Sequence, residues 1–359
     1  MSGRTLDDML AEMVDSGASD IYLCCGAPPS ISVDGKLVPI DSAPMEQEDM
    51  IKIARGLMDE ERWKDFLTNL ETDMAYSAHD ERFRLSVYFQ RNSIALVARH
   101  IRQNIPDFAA LNLPETFKHF AMLERGLILI TGATGSGKST TLAAIIDYRN
   151  RNGTGHIVTV EDPIEFVHEH RQCIISQREV GIDTKSFHYA IRSALRQAPR
   201  VILIGEVRDT ETAQFCLHAA ETGHLVFSTL HTTNANQTLE RLLNFFPALQ
   251  KDQALMQLSL NLRAIVSQRL VPKVGGGRVV ALEVLLNSPR AAELIEKGDV
   301  TGLKAVMMKG ANEGMMTFDM CLYNHVKAGL VSEEDALRYA DSANDLKLRL
   351  RGLGGSGFA

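Results

Sequence analysis

The run Gly132-Ala133-Thr134-Gly135-Ser136-Gly137-Lys138-Ser139 constrains this chain more than any other. It fits the pattern GxxxxGK[ST], and it stands in the context that gives the pattern physical meaning. An apolar run, Leu127-Ile-Leu-Ile, precedes it, and a helical run beginning at Thr140 follows it. Glycines let a strand-to-helix loop turn tightly with its N–H groups inward, and the helix N-terminus adds partial positive charge. Such a loop is built to hold phosphate. The nucleotide-binding candidates are therefore the residues from Gly132 to Thr140, with Lys138 reaching the β- and γ-phosphates of ATP and Ser139 binding Mg2+.

Around that loop the chain alternates short apolar strands with helical stretches. Strands are expected at residues 126–131, 156–161, 201–206 and 225–230, which is the mark of a parallel sheet with crossover helices. A closing hairpin is expected between residues 265 and 286, with Gly275-Gly276-Gly277 in its turn. From residue 288 onward the chain reads as helices punctuated by glycines.

The N-terminal part differs. Leu6, Met9, Leu10, Met13 and Val14 make one apolar helix face. Residues 20–24 and 31–40 read as strands, the second broken by Asp34-Gly35, a hairpin signal. A helical stretch around residues 50–69 and strands at 83–89 and 94–101 complete a small α+β domain. The expected division is residues 1–101, a proline-marked linker at 102–114, an α/β nucleotide-binding domain at 115–287 and a helical region at 288–359.

Composition narrows the partners. A formal charge of −7 argues against nucleic acid, because its binders carry a basic excess. The five cysteines form no CxxC pair, which argues against a disulfide framework or a cysteine zinc site. No apolar run approaches the roughly 20 residues of a membrane-crossing helix. The amphipathic N-terminus also lacks the apolar block of a signal peptide, so a cytoplasmic protein is expected.

Three further segments carry candidate chemistry. The run Val201-Ile-Leu-Ile-Gly-Glu206-Val-Arg-Asp reads as a strand ending in a carboxylate, and strand C-termini of such sheets line the ligand crevice. Glu206 is placed to polarise the attacking water and to order the magnesium shell through water. Glu161, Asp162 and Glu165 form an acidic cluster at another strand end, able to hold magnesium through water or to position the nucleophile. His231 closes a third strand, where it can sense the γ-phosphate; His224 opens the same strand. With His218 they lack a zinc-ligand spacing.

Taken together, the phosphate loop, the box Glu161-Asp-Pro-Ile-Glu-Phe-Val-His, the Gly-Glu-Val-Arg-Asp segment and the histidine box resemble the secretion ATPase superfamily. Gly17-Ala-Ser-Asp, Ala219-Ala-Glu-Thr-Gly-His-Leu-Val-Phe and Gly314-Met-Met-Thr-Phe-Asp resemble its type IV pilus retraction ATPases of the PilT/PilU type. The resemblance implies a PAS-like N-terminal domain, a RecA-like P-loop ATPase core and a homo-hexameric ring. It also implies a motor docked at the inner-membrane base of the pilus, against a platform protein, powering retraction and twitching motility. The extra N-terminal region and tetracysteine element of assembly-side relatives do not occur in this sequence. Pro289-Arg-Ala-Ala-Glu-Leu-Ile stands where PilT-type tails carry an Ala-Ile-Arg-Ala-Gly-like motif. With Phe89-Gln-Arg-Asn, it points to the PilU-like branch and to an accessory motor working beside a PilT-like sibling.

The same resemblance gives the strand arginines a role. Arg91 and Arg99, with Arg84 next, are candidates to neutralise phosphate charge as arginine fingers, in their own subunit or in a neighbouring one, a contribution worth about 10³–10⁵ in rate in other NTPases. Arg82 lies on the same strands. Three other readings stay open: a principal PilT-type motor, a non-motor regulatory nucleotide binder, and a DNA-translocating relative, against which the acidic charge counts.

Overall fold

The strands sort into two sheets according to their apolar pattern. The computed structural model describes residues 4–33, 36–101 and 104–353; the Asp34-Gly35 turn lies outside the described residues. Met1–Asn104 with Glu165–Val167 forms one unit, and Ile105–Ile164 with His168–Ala359 forms the other.

The first unit contains α1 (Leu6–Asp15), β1 (Asp20–Cys24), β2 (Ser30–Val33), β3 (Lys36–Pro39), α2 (Gln47–Gly56), α3 (Glu60–Asn69), β4 (Glu71–Ala78), β5 (Glu81–Gln90) and β6 (Ser93–Ile101). It is the small PAS-like α+β domain, with strand order β3-β2-β1-β6-β5-β4 and antiparallel pairing throughout. Phe83, Leu85 and Val87 of β5 are buried while their neighbours are not, the alternation of a sheet with one covered face. Thr5 caps α1 through a capping box with Asp8, and Leu6, Met9, Leu10 and Met13 turn inward.

Two features of this unit depart from the sequence reading. The helix expected over residues 50–69 is two helices, because Asp59 starts α3 afresh by accepting from the Arg62 N–H at 2.8 Å. Strand β4 was not foreseen. Only its Met74 is buried, so it has no apolar pattern and is held at the sheet edge by its backbone pairing with β5.

The second unit runs α4 (Thr116–Met122), β7 (Gly126–Thr131), α5 (Lys138–Asn152), β8 (Gly155–Glu161), β9 (Cys173–Glu179), α6 (Phe187–Ala194), β10 (Val201–Ile204), α7 (Thr210–Glu221), β11 (Leu225–Leu230), α8 (Ala235–Leu243), α9 (Lys251–Asn261), β12 (Leu262–Pro272) and β13 (Arg278–Leu286). Five helices follow: α10 (Pro289–Glu296), α11 (Leu303–Lys309), α12 (Phe318–Lys327), α13 (Glu333–Tyr339) and α14 (Ala343–Leu350). The 7-stranded sheet has the order β13-β12-β7-β11-β10-β8-β9. All its pairings are parallel except the β12–β13 hairpin, whose Gly275, Gly276 and Gly277 all take positive φ. This is the RecA-like α/β core.

Each face of the sheet has its own apolar layer. Ile128 and Ile130 of β7 join Phe117, Phe120, Leu142 and Ile145 on one side. Leu127 and Leu129 join Leu217, Leu239 and Leu258 on the other. A strand covered on both faces must be apolar throughout, as β7 is. Phe318 and Leu322 from the C-terminal helices share the first layer, as do Phe108 and Leu113 from the proline-marked stretch. Those segments are packed parts of this unit. No described helix is long and apolar enough to cross a membrane.

Candidate nucleotide and catalytic site

Strands β7, β11, β10 and β8 are parallel neighbours in that order. The loops after their C-terminal ends therefore form one row, where open α/β sheets bind ligands. The first loop is the Gly132–Ser139 turn. Gly132 has a φ of 148°, and a Cβ there would stand 2.4 Å from Ser136 Oγ and 2.6 Å from the Gln268 carbonyl oxygen. Gly135 and Gly137 are left-handed, with φ of 78° and 90°.

Gly137 opens α5 without a side-chain cap, and the first turn holds no acid. By contrast, Ser186, Asp209 and Asn234 cap α6, α7 and α8. The first N–H groups of α5 are thus left to something other than a side chain, as suits an anion. Lys138 is buried, and its Nζ donates to the carbonyls of Gly132 and Ala133 at 2.8 and 3.1 Å. Ser136 Oγ is buried with no hydrogen-bond partner among the described residues.

The remaining loops bring the acids and the histidine. Strand β10 ends at Ile204, two residues earlier than expected, so Glu206 sits in the following loop. Thr229 Oγ1 donates to the Gly205 carbonyl at 2.7 Å, and the Val207 N–H donates to the Thr229 carbonyl at 3.0 Å. These bonds fix the backbone on both sides of Glu206. Its Oε2 lies 3.0 Å from His231 Nε2, and its Oε1 takes the Nε of Arg208. Arg208 Nη1 also bonds Asp162 Oδ2 at 3.0 Å.

His231 is held below the usual histidine range, first by burial and then by the positive charges of Lys138 and Arg208. An ionised carboxylate only accepts, so a neutral His231 facing it carries its proton on Nε2. Glu161 is held by Thr159 Oγ1 at 2.6 Å and Gln177 Nε2 at 3.3 Å.

The type II/IV secretion system protein family matches residues 2–351. The chain belongs to this family of secretion ATPases. The type IV pilus ATPase PilU of Pseudomonas aeruginosa is 50% identical over 347 residues, 96% of this chain and 91% of that protein. The type IV pilus retraction ATPase PilT of the same organism is 44% identical over 332 residues, 92% of this chain and 96% of its own length. A crystal structure of the pilus retraction motor PilT with bound ADP has a TM-score of 0.88 at 41% identity, covering 94% of this chain and 98% of that one.

Within this secretion ATPase the candidate residues divide between the two units. Lys138, Glu206, His231 and Glu161 lie at neighbouring strand ends of the second unit. The arginines belong to the first. Arg99 is exposed along its side chain yet pairs with Asp20 at 2.7 Å, which with its charge raises the guanidinium pKa further. Arg84 pairs with Asp73 at 3.1 Å. Arg91 is exposed in the β5–β6 turn with a φ of 46°. Glu165 belongs to the first unit and is exposed. His218 sits on α7, and His224 bonds the Ala219 carbonyl at 3.1 Å, at the far end of β11 from His231. The sequence reading assigned nothing to Arg208 or Gln268; a cation two residues from a strand-end acid was the available signal for the first.

Proposed function

We propose that this chain is an ATP-hydrolysing motor of type IV pilus retraction. It works as a homo-hexamer in the cytoplasm at the inner-membrane base of the pilus, as an accessory PilU-like ATPase beside a PilT-like sibling. One observation carries the chemistry: an uncapped helix N-terminus with a buried lysine lies on the same row of parallel strand ends as a carboxyl group hydrogen-bonded to a histidine. The likeness to PilU and to the ADP-bound PilT motor supports the coupling to pili.

In this reading the N–H groups from Gly132 to Thr140 cradle the phosphates, and Lys138 leaves the loop carbonyls for the β- and γ-phosphates. Glu206 accepts hydrogen bonding from the attacking water and orients it toward the γ-phosphate. His231, kept neutral, donates to Glu206 and lies where it can register the γ-phosphate. The unpartnered Ser136 Oγ and the uncapped α5 fit a phosphate with its cation. Ser139 would hold Mg2+ directly and Glu206 through water, the ion supplying charge neutralisation on the phosphates. Arg91, Arg99 and Arg84 are proposed to add positive charge from a neighbouring subunit.

The test pairs phosphate release with retraction. Lys138→Ala should lose productive nucleotide engagement, and Glu206→Ala should bind ATP yet lose most turnover, roughly 10²-fold or more. In cells lacking the sibling, abundant protein should not retract pili; beside a catalytically dead sibling it should restore retraction. Wild-type turnover by Glu206→Ala would remove that residue from the mechanism. Full retraction by this protein alone would make it a principal motor.

A further inference from the structure

The acid at the end of β10 is held by more than its histidine. Arg208 bonds Glu206 through Nε and Asp162 through Nη1, the latter at 3.0 Å. A single guanidinium thus ties the loop after β10 to the loop after β8. The ladder between those strands runs out just before: Ile204 pairs with Val160, and the Gly205 N–H donates to the Val160 carbonyl at 2.8 Å. Past that bond, a side chain takes over from the backbone in joining the two loops. The guanidinium also lies over the Phe187 ring, 5.8 Å from its centroid, at the start of α6.

We propose that Arg208 is a positioning residue for Glu206, and that Asp162 anchors Arg208. The inference rests on the reading of this site as an ATPase centre. The physical case has two parts. The guanidinium is planar and forked, so it holds two acids in one fixed geometry, which a lysine ammonium does not. Arg208 is also about half exposed, as a side chain 54% accessible, and ion pairs of that exposure add little to folding. The geometric role therefore outweighs the stabilising one. With Arg208 on Oε1 and His231 on Oε2, the direction of the remaining lone pairs of Glu206 is set before water arrives. Misplacement of such a group by about 1 Å costs about 10² in rate.

The experiment compares full-length wild type, Arg208→Ala, Arg208→Lys, Asp162→Asn and the Arg208→Ala, Asp162→Asn double variant. Steady-state phosphate release is measured beside the binding of a fluorescent ATP analogue and thermal melting. Arg208→Ala should lower turnover at least about tenfold while analogue affinity stays within about threefold. Arg208→Lys should recover part of the loss, since one ammonium can hold only one of the two acids well. Asp162→Asn should also slow turnover, and the double variant should be no slower than Arg208→Ala, as for residues acting through one contact.

Turnover by Arg208→Ala within about twofold of wild type overturns the proposal. So does a loss of affinity that matches the loss of turnover, or losses that multiply in the double variant. If Arg208→Ala melts early, the Arg208→Lys and Asp162→Asn pair decides by the same criteria. Wild-type protein that binds the analogue but releases no phosphate sinks the ATPase reading itself, an outcome distinct from an insensitive Arg208.

Discussion

Glu283 shows what burial does to a carboxyl group inside this sheet. It lies on β13 with 2% exposure and accepts the Ala235 N–H at 2.7 Å, so it caps α8 from another strand. Burial pushes its pKa up to about 7; the Ala235 bond, Arg269 and Lys304 pull it down, and Asp341 adds to the rise. A pKa raised on folding means that the native state binds the proton more tightly. The stabilisation is fully present below the unfolded value of 4.5 and is lost as pH rises through about 7. Its size is on the order of 3 kcal/mol. Glutamine mimics the protonated acid, so Glu283→Gln should raise the melting temperature over wild type more at pH 8 than at pH 5. An equal difference at both pH values would show that Glu283 does not titrate in this range.

Among the elements, α5, the helix proposed to bind phosphate, is fixed at its far end. Asn150, fully buried, accepts the Arg171 and Cys173 N–H groups at 3.2 Å each and donates to the Glu169 carbonyl at 2.7 Å. One side chain thus ties the helix to the segment that opens β9. Beside it, Arg149 Nη1 donates to the Ala121 and Leu123 carbonyls, both at 3.1 Å, at the end of α4. Leaving buried backbone groups unpaired costs about 1–3 kcal/mol each. Asn150→Ala should therefore lower stability by about 3 kcal/mol, read as a reduced urea midpoint. A midpoint unchanged in Asn150→Ala would mean that water or a shifted backbone satisfies those groups.

For the whole molecule, the arginines proposed to act on nucleotide all belong to the first unit. Arg99 and Arg84 are already paired with Asp20 and Asp73, while Arg91 is exposed at a turn. If the ring shares its sites, a subunit lacking the arginines and a subunit lacking the lysine each spoil a different site. Mixing Arg91→Ala, Arg99→Ala protein with Lys138→Ala protein should then recover part of the hydrolysis that each lacks alone. Rings shown to be mixed but inactive would assign these arginines to their own subunit's site.

The local signals in the sequence were sufficient for the RecA-like core. Apolar runs marked β7, β8, β10 and β11, and the glycine pattern marked the tight loop between β7 and α5 that is the candidate phosphate site. Three glycines placed the turn between β12 and β13. Each of these rests on neighbours in the chain, where periodicity and turn chemistry act. Strands β4 and β9 escaped notice because they lie at sheet edges, where partial exposure erases the apolar pattern and backbone pairing alone defines the strand. The company kept by Glu206 was also beyond sequence. His231 is 25 residues away from it, and Arg208 reaches an acid 46 residues earlier. Those contacts exist because β11 and β8 lie on either side of β10, and strand order is decided by how the crossover helices pack, which no local period encodes.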